Sequence, residues 1–130
     1  MIVVDASAIL EVLLNTSAGA RVAERLFMPG ETLHAPHLLD LEVAQVLRRY
    51  ALAGELDSGR GLEALEDLAD LSLTRYPHDL LLPRIWELRR NVTAYDAVYV
   101  ALAEALAAPL VTRDVALAAV RVHHARIELL

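Results

Sequence analysis

Met1-Ile2-Val3-Val4-Asp5-Ala6-Ser7 opens the chain with a β-branched apolar run that ends directly on an acid. A short continuous run of this kind suits a strand buried on both faces. Ala6-Ser7-Ala8-Ile9-Leu10 then reads as the start of a helix. A strand that passes straight into a helix is the first half of a parallel α/β unit. Open sheets built from such units bind their ligands beyond the carboxyl ends of the strands. Asp5 stands at that edge, and the rest of the chain is read by asking what else arrives there.

Working outward, the first helix continues to Leu14 and breaks at Asn15-Thr16-Ser17. Thr16 or Ser17 is expected to cap a second helix running to about Met28, before Pro29-Gly30. Thr32 to Ala35 reads as a second strand. A long helix follows from about His37 to Ala53, with Leu39, Val43, Val46, Leu47 and Tyr50 at helical spacing and Gly54 beyond its end. Ser58 to Leu71 is amphipathic, with Leu62, Leu65, Leu68 and Ala69 expected inward. Ser72 to Tyr76 alternates as a third strand, and Pro77-His78-Asp79 starts a helix to about Arg90. Thr93 opens a nearly all-apolar helix to Ala107, which predicts burial on most sides. Pro109 to Thr112 is a fourth strand, Asp114 to Val120 a short helix, and Ala125 to Glu128 a terminal strand. Strands alternating with helices imply parallel pairing through right-handed crossovers. The expected architecture is a three-layer α/β/α sandwich with a four- or five-stranded parallel sheet. The length of 130 residues suits a single domain over 1–130.

Composition narrows the function classes. Hydrophobic residues make up 56% of the chain, more than a soluble domain usually needs, so some apolar surface is expected to meet a partner. No apolar run reaches the length of a membrane span. No basic n-region precedes an apolar stretch, so Met1 is expected to begin the mature protein. The absence of cysteine excludes disulfides and thiolate metal sites and leaves the cytoplasm as the default compartment. A net charge of −6 argues against a general nucleic-acid coat but not against local grip on a few phosphates. All 12 basic residues are arginine.

Four acids fall at strand ends or on a helix able to face the same edge: Asp5, Glu42, Asp96 and Asp114. Each has a second reading. Asp5 and Asp114 suit helix N-caps, and Asp96, three residues after Thr93, has capping-box spacing. Glu42 suits a solvated helix face, and spacing does not separate it from Asp40. Jointly they say more. Carboxylates brought together repel, and a divalent cation removes the conflict. Hard oxygen ligands select Mg²⁺ or Mn²⁺ over zinc. Such a site activates water and holds a phosphate oxygen, which is the chemistry of phosphodiester hydrolysis.

Asp5-Ala6-Ser7, Glu42, Thr93-Ala94-Tyr95-Asp96-Ala97-Val98-Tyr99 and Leu110-Val111-Thr112-Arg113-Asp114 together resemble the PIN domain, and more narrowly the VapC toxins of bacterial and archaeal toxin–antitoxin pairs. The resemblance covers nearly the whole chain in length, element order and spacing. It implies a Mg²⁺- or Mn²⁺-dependent endoribonuclease that leaves 3′-hydroxyl and 5′-phosphate ends. Asp5 and Asp96 match the firmest metal ligands. Glu42 and Asp114 complete the cluster, binding a second metal or orienting water. Ser7 and Thr112 match the small hydroxyl residues that hydrogen-bond to the acids. The resemblance also implies a VapB-like antitoxin partner and a homodimer. The chain departs from the pattern before Thr93, where Arg90-Asn91-Val92 replaces a common glycine.

Arg89, Arg90 and Arg113 lie near the acidic motifs in sequence and are candidate contacts to RNA phosphates. Arg48 and Arg49 read as solvated helix residues or antitoxin contacts. Tyr95 and Tyr99, at i and i+4, read as core packing ahead of base stacking, and Trp86 as core or interface. The five histidines show no metal-ligand spacing and read as surface residues. Two other classes with an acid after the first strand fit poorly. A phospho-accepting receiver needs a lysine, and this chain has none. A haloacid-dehalogenase-like phosphatase needs a second Asp where Ser7 stands. The remaining alternative is a catalytically silent PIN-like binding module.

Overall fold

The computed structural model describes residues 1–130. Five strands form one sheet: β1 (Ile2–Val4), β2 (Leu33–Pro36), β3 (Leu73–Tyr76), β4 (Leu110–Thr112) and β5 (Ile127–Leu129). Their spatial order is β3-β2-β1-β4-β5, and every neighbouring pair is parallel. The first strand is thus the middle of the sheet. Ile2, Val3 and Val4 are at most 1% exposed, as a strand covered on both faces requires.

Seven helices connect the strands: α1 (Ala6–Leu13), α2 (Gly19–Leu26), α3 (Leu38–Leu52), α4 (Ser58–Asp70), α5 (Leu82–Glu87), α6 (Ala94–Leu106) and α7 (Val115–Ala118). The chain leaves β1 toward β2 and β3, then returns past β1 to β4 and β5. Right-handed crossovers therefore put α1 to α4 on one face and α5 to α7 on the other. α6 is the buried keystone of its layer, with every residue from Ala97 to Ala103 buried. Because the strand order reverses between β1 and β4, their carboxyl ends frame the crevice where such sheets hold ligands. The core is one cluster of 29 buried apolar residues. No helix is long and apolar enough to cross a membrane.

Several expectations shift. The helix expected from Pro77 to Arg90 is a 3₁₀ turn at Asp79–Leu81 followed by the short α5. Pro83 explains the restart, since a proline has no N–H and is tolerated only in a helix's first turn. α2 begins at Gly19 rather than at Thr16 or Ser17, because the Thr16 hydroxyl bonds back to Glu11 instead of capping forward. A side chain at Gly19 would place its Cβ 2.5 Å from the Glu11 carbonyl oxygen, so glycine lets α2 fold back tightly on α1. α4 is rotated from the expected phase: Gly61, Ala64 and Leu68 face inward, while Leu62 is 58% exposed and Ala69 is exposed too. Trp86 is not core; it lies 67% exposed on α5. His34 is not at the surface; it is buried between Thr32 and Tyr76, which bond its two ring nitrogens at 2.9 and 2.8 Å.

Candidate active site

Asp5 ends β1 and is the N-cap of α1, accepting from the Ala8 amide at 3.2 Å. The capping reading is therefore correct, but it uses only part of the carboxylate. Ser7 Oγ donates to Asp5 Oδ1 at 2.7 Å, and Thr112 Oγ1, from the neighbouring strand, donates to Oδ2 at 2.6 Å. Both hydroxyls are themselves fixed: the Arg113 amide donates to Ser7 Oγ and the Asp114 amide to Thr112 Oγ1, each at 2.9 Å. A small network thus rivets the ends of β1 and β4 together. It follows from the parallel pairing of Val3 with Leu110 and Val4 with Val111, which brings residues more than a hundred positions apart into register.

Asp114 caps α7, with Oδ1 accepting from the Ala116 and Leu117 amides. Asp96 sits in the first turn of α6, where Thr93 accepts from its amide at 3.2 Å. No reciprocal bond from the Asp96 carboxylate completes a capping box, so that carboxylate is free for other work. Glu42 projects from α3, and Tyr99 on α6 donates its hydroxyl to Glu42 Oε1 at 2.5 Å. Asp40, which helical spacing left equivalent, is turned away and forms a two-pronged pair with Arg75 at 2.7 and 3.0 Å.

All four acids line one open cavity of about 1030 Å³. None has a cationic partner, although Arg25, Arg75 and Arg84 pair with acids elsewhere. The consequences are electrostatic. Burial pushes the Asp5 carboxyl above its ordinary range, against the three hydrogen bonds it receives and with help from the charge of Asp114. Burial likewise raises Glu42, which also faces Asp5 and Asp96. Asp96 is raised by burial and then by Asp114. Carboxylates held in this way are poised for a cation. No three of them close into a ready ligand cage. That looseness suits Mg²⁺, which takes one or two carboxylates and keeps several of its waters. The donor set, all hard oxygen with no thiolate or imidazole, fits Mg²⁺ or Mn²⁺.

The arginines sort differently from their order in sequence. Arg113 lines the cavity, held by a 2.6 Å bond from its Nη1 to the Leu130 carbonyl and lying 3.6 Å from Glu11. Arg89 and Arg90 do not line it. Arg89 instead stacks on Trp86, its guanidinium carbon 4.7 Å from the ring centre, because both lie on the outer side of the α5 region. Arg48 and Arg49, read from sequence as solvated helix residues or antitoxin contacts, are exposed and also line the cavity. The two tyrosines also part company: Tyr99 is 2% exposed and holds Glu42, whereas Tyr95 is 66% exposed at the cavity wall. The role that sequence reading misses is that of Tyr99, which is core as expected but also holds Glu42. Its position three residues after Asp96, on the same side of one helix, was the available signal.

Comparison with known proteins gives a consistent picture. Ribonuclease VapC9 of Mycobacterium tuberculosis is 50% identical over 117 residues, covering 90% of this chain and 88% of that protein. Ribonuclease VapC12 of the same organism is 43% identical over 129 residues, 99% of this chain and 98% of its own. The crystal structure of VapBC2 from Rickettsia felis, at 14% identity, shares the fold with a TM-score of 0.71 over 99% of this chain and 98% of that one. Residues 2–122 match the family model of the PIN domain. On these grounds the chain belongs to the PIN-domain family, beside its VapC ribonucleases.

Proposed function

We infer that this protein is a VapC-type endoribonuclease, the toxin half of a toxin–antitoxin pair, hydrolysing RNA phosphodiester bonds. The observation that carries the reading is the set of four carboxylates, none of them paired with a cation, that line one cavity at the carboxyl edge of the sheet. We assign Asp5 and Asp96 as metal ligands, with Glu42 and Asp114 completing the cluster. A bound Mg²⁺ or Mn²⁺ would lower the pKa of a water and polarise a phosphoryl oxygen. The chain's own residues set the stage for that chemistry. Ser7 and Thr112 fix the orientation of the Asp5 carboxylate from both sides. Tyr99 holds Glu42, which lines the cavity, by a bond to one carboxylate oxygen. Arg113, clamped by Leu130, offers a positive group to phosphate oxygens.

In this reading residues 1–130 act as one unit in the cytoplasm, with RNA as substrate and a VapB-like antitoxin as partner. Leu80 at 84% and Trp86 at 67% exposure support the homodimer that the family resemblance implies. The alternative, a catalytically silent binding module, has no use for an Asp96 carboxylate that bonds nothing in the fold. The test is to incubate purified protein with a mixed RNA pool and Mg²⁺ or Mn²⁺, beside EDTA and Asp96→Asn controls, and to sequence the 5′ ends of the products. Discrete cuts that need metal and Asp96 are expected. Intact RNA after incubation with folded, antitoxin-free protein would favour the silent module.

A further inference from the structure

The four carboxylates occupy only one end of the cavity. From Glu42 its wall runs along α3 through Gln45 and Val46 to Arg48 and Arg49. Arg49 is seven residues, or two turns, beyond Glu42, about 10 Å farther along the helix axis. Both arginines are exposed, and neither joins the ion pairs that occupy Arg25, Arg75 and Arg84. Tyr95 lines the same cavity from α6, directly before Asp96, with its ring 66% exposed. One turn later Tyr99 is buried. The cavity thus joins the four acids, with Arg113 and Glu11 beside them, to two unpaired cations along α3 and an exposed aromatic residue next to Asp96.

We propose that Tyr95 is a stacking platform for an unpaired base next to the scissile phosphodiester, and that Arg48 and Arg49 hold neighbouring phosphates of the same strand. This rests on the ribonuclease reading and narrows it to single-stranded or looped RNA. Every base has a π-face able to stack on an aromatic ring, whereas a base inside a duplex has both faces covered. The chain's charge of −6 gives no general attraction for RNA, so local free cations have to supply it. An acidic peptide would account for the arginines alone; RNA accounts for the arginines, the ring and the carboxylates together.

The test measures binding without cleavage, in the Asp96→Asn protein, using fluorescence anisotropy. The probe is a labelled single-stranded RNA of randomised sequence, about 12 nucleotides long, within the span of known single-strand sites. Adding Tyr95→Ala should weaken binding about tenfold, as loss of one base stack does, while Tyr95→Phe should bind like its parent. A 2-aminopurine in the probe should lose its stacking quench in the Ala variant only. A fully paired duplex should bind weakly and ignore Tyr95. Replacing Arg48 and Arg49 together by Gln should make the slope of log affinity against log salt shallower by about 1.4. Equal binding by the Tyr95→Ala protein, or equal losses on single strand and duplex, overturns the proposal. So does an unchanged salt slope, which would assign the arginines to a protein partner. If wild type cuts RNA while Tyr95→Ala binds unchanged, this inference fails alone. If wild type cuts nothing and Asp96→Asn binds nothing, the ribonuclease reading falls with it.

Discussion

Glu104 and Glu42 are both half-buried glutamates on helices, yet their surroundings push them in opposite directions. Glu104 receives both prongs of Arg84, at 2.8 and 3.0 Å, and the His124 amide at 2.8 Å. These bonds hold its carboxyl below the ordinary range. Glu42 receives one tyrosine hydroxyl, faces two other acids, and is raised chiefly by burial. The same division runs through the molecule. Around the periphery Arg25 joins Glu31 to Glu128, and Arg75 holds Asp40. At the carboxyl edge of the sheet no guanidinium pairs with Asp5, Glu42, Asp96 or Asp114. Peripheral acids serve the fold, and the edge acids carry a repulsion that only something from outside the chain relieves.

The sharpest way to break this contrast is Asp96→Asn. Because the carboxylate bonds nothing in the fold and is raised by burial and Asp114, thermal stability at neutral pH should hold or rise slightly, while metal-dependent RNA cleavage drops by at least about a hundredfold, the upper range for groups that merely support a metal ligand. Product yield and circular dichroism melting, measured together, check it. Next, Mn²⁺ at ten times its dissociation constant should stabilise wild type by about 1.4 kcal/mol and Asp96→Asn by much less, read from melting with and without metal. Tyr99→Phe should cost about 1 kcal/mol in urea unfolding, since it strips a hydrogen bond from a partly buried carboxylate. It should also weaken Mn²⁺ binding in calorimetry; unchanged affinity would reduce Tyr99 to a packing residue.

The smallest effect is in pH. Glu104 has a lowered folded pKa, so its stabilising contribution is complete above the ordinary value of 4.5 and is lost as pH falls through the folded value. Glu42 has the opposite sign. Its penalty is complete above its raised folded pKa and absent below 4.5. Glu104→Gln should therefore flatten the acid limb of the stability curve below pH 4.5, while Glu42→Gln should gain stability only at higher pH. Urea titrations across the range separate the two.

Much of this was legible in sequence because it is local. Val4-Asp5 marks a strand end, Thr93 a cap and Thr112-Arg113-Asp114 a strand-to-helix turn, and each lies where its neighbours put it. What depended on distant partners was not. Nothing near Asp40 and Glu42 distinguishes them; Arg75, 35 residues from Asp40, takes one, and Tyr99, 57 residues from Glu42, takes the other. Sequence distance does not separate the two arginine pairs: Arg89 and Arg90 lie seven and six residues before Asp96, and Arg48 and Arg49 six and seven after Glu42. Only the run of α3 along the cavity decides for the second pair. The phase of α4 is not legible in sequence because Gly61 and Ala64, which face inward, carry almost no hydropathy signal.

The placement of β1 has a consequence for biosynthesis. It is made before the other four strands but is the middle of the sheet, and its partner β4 is more than a hundred residues behind it. Until Thr112 is made, Asp5 lacks one of the hydroxyls that orient it, and neither Asp114 nor the floor of the crevice exists. Long-range parallel pairing of this kind forms late and slowly. A nascent chain is consequently unarmed until β4 and the turn after it have been made.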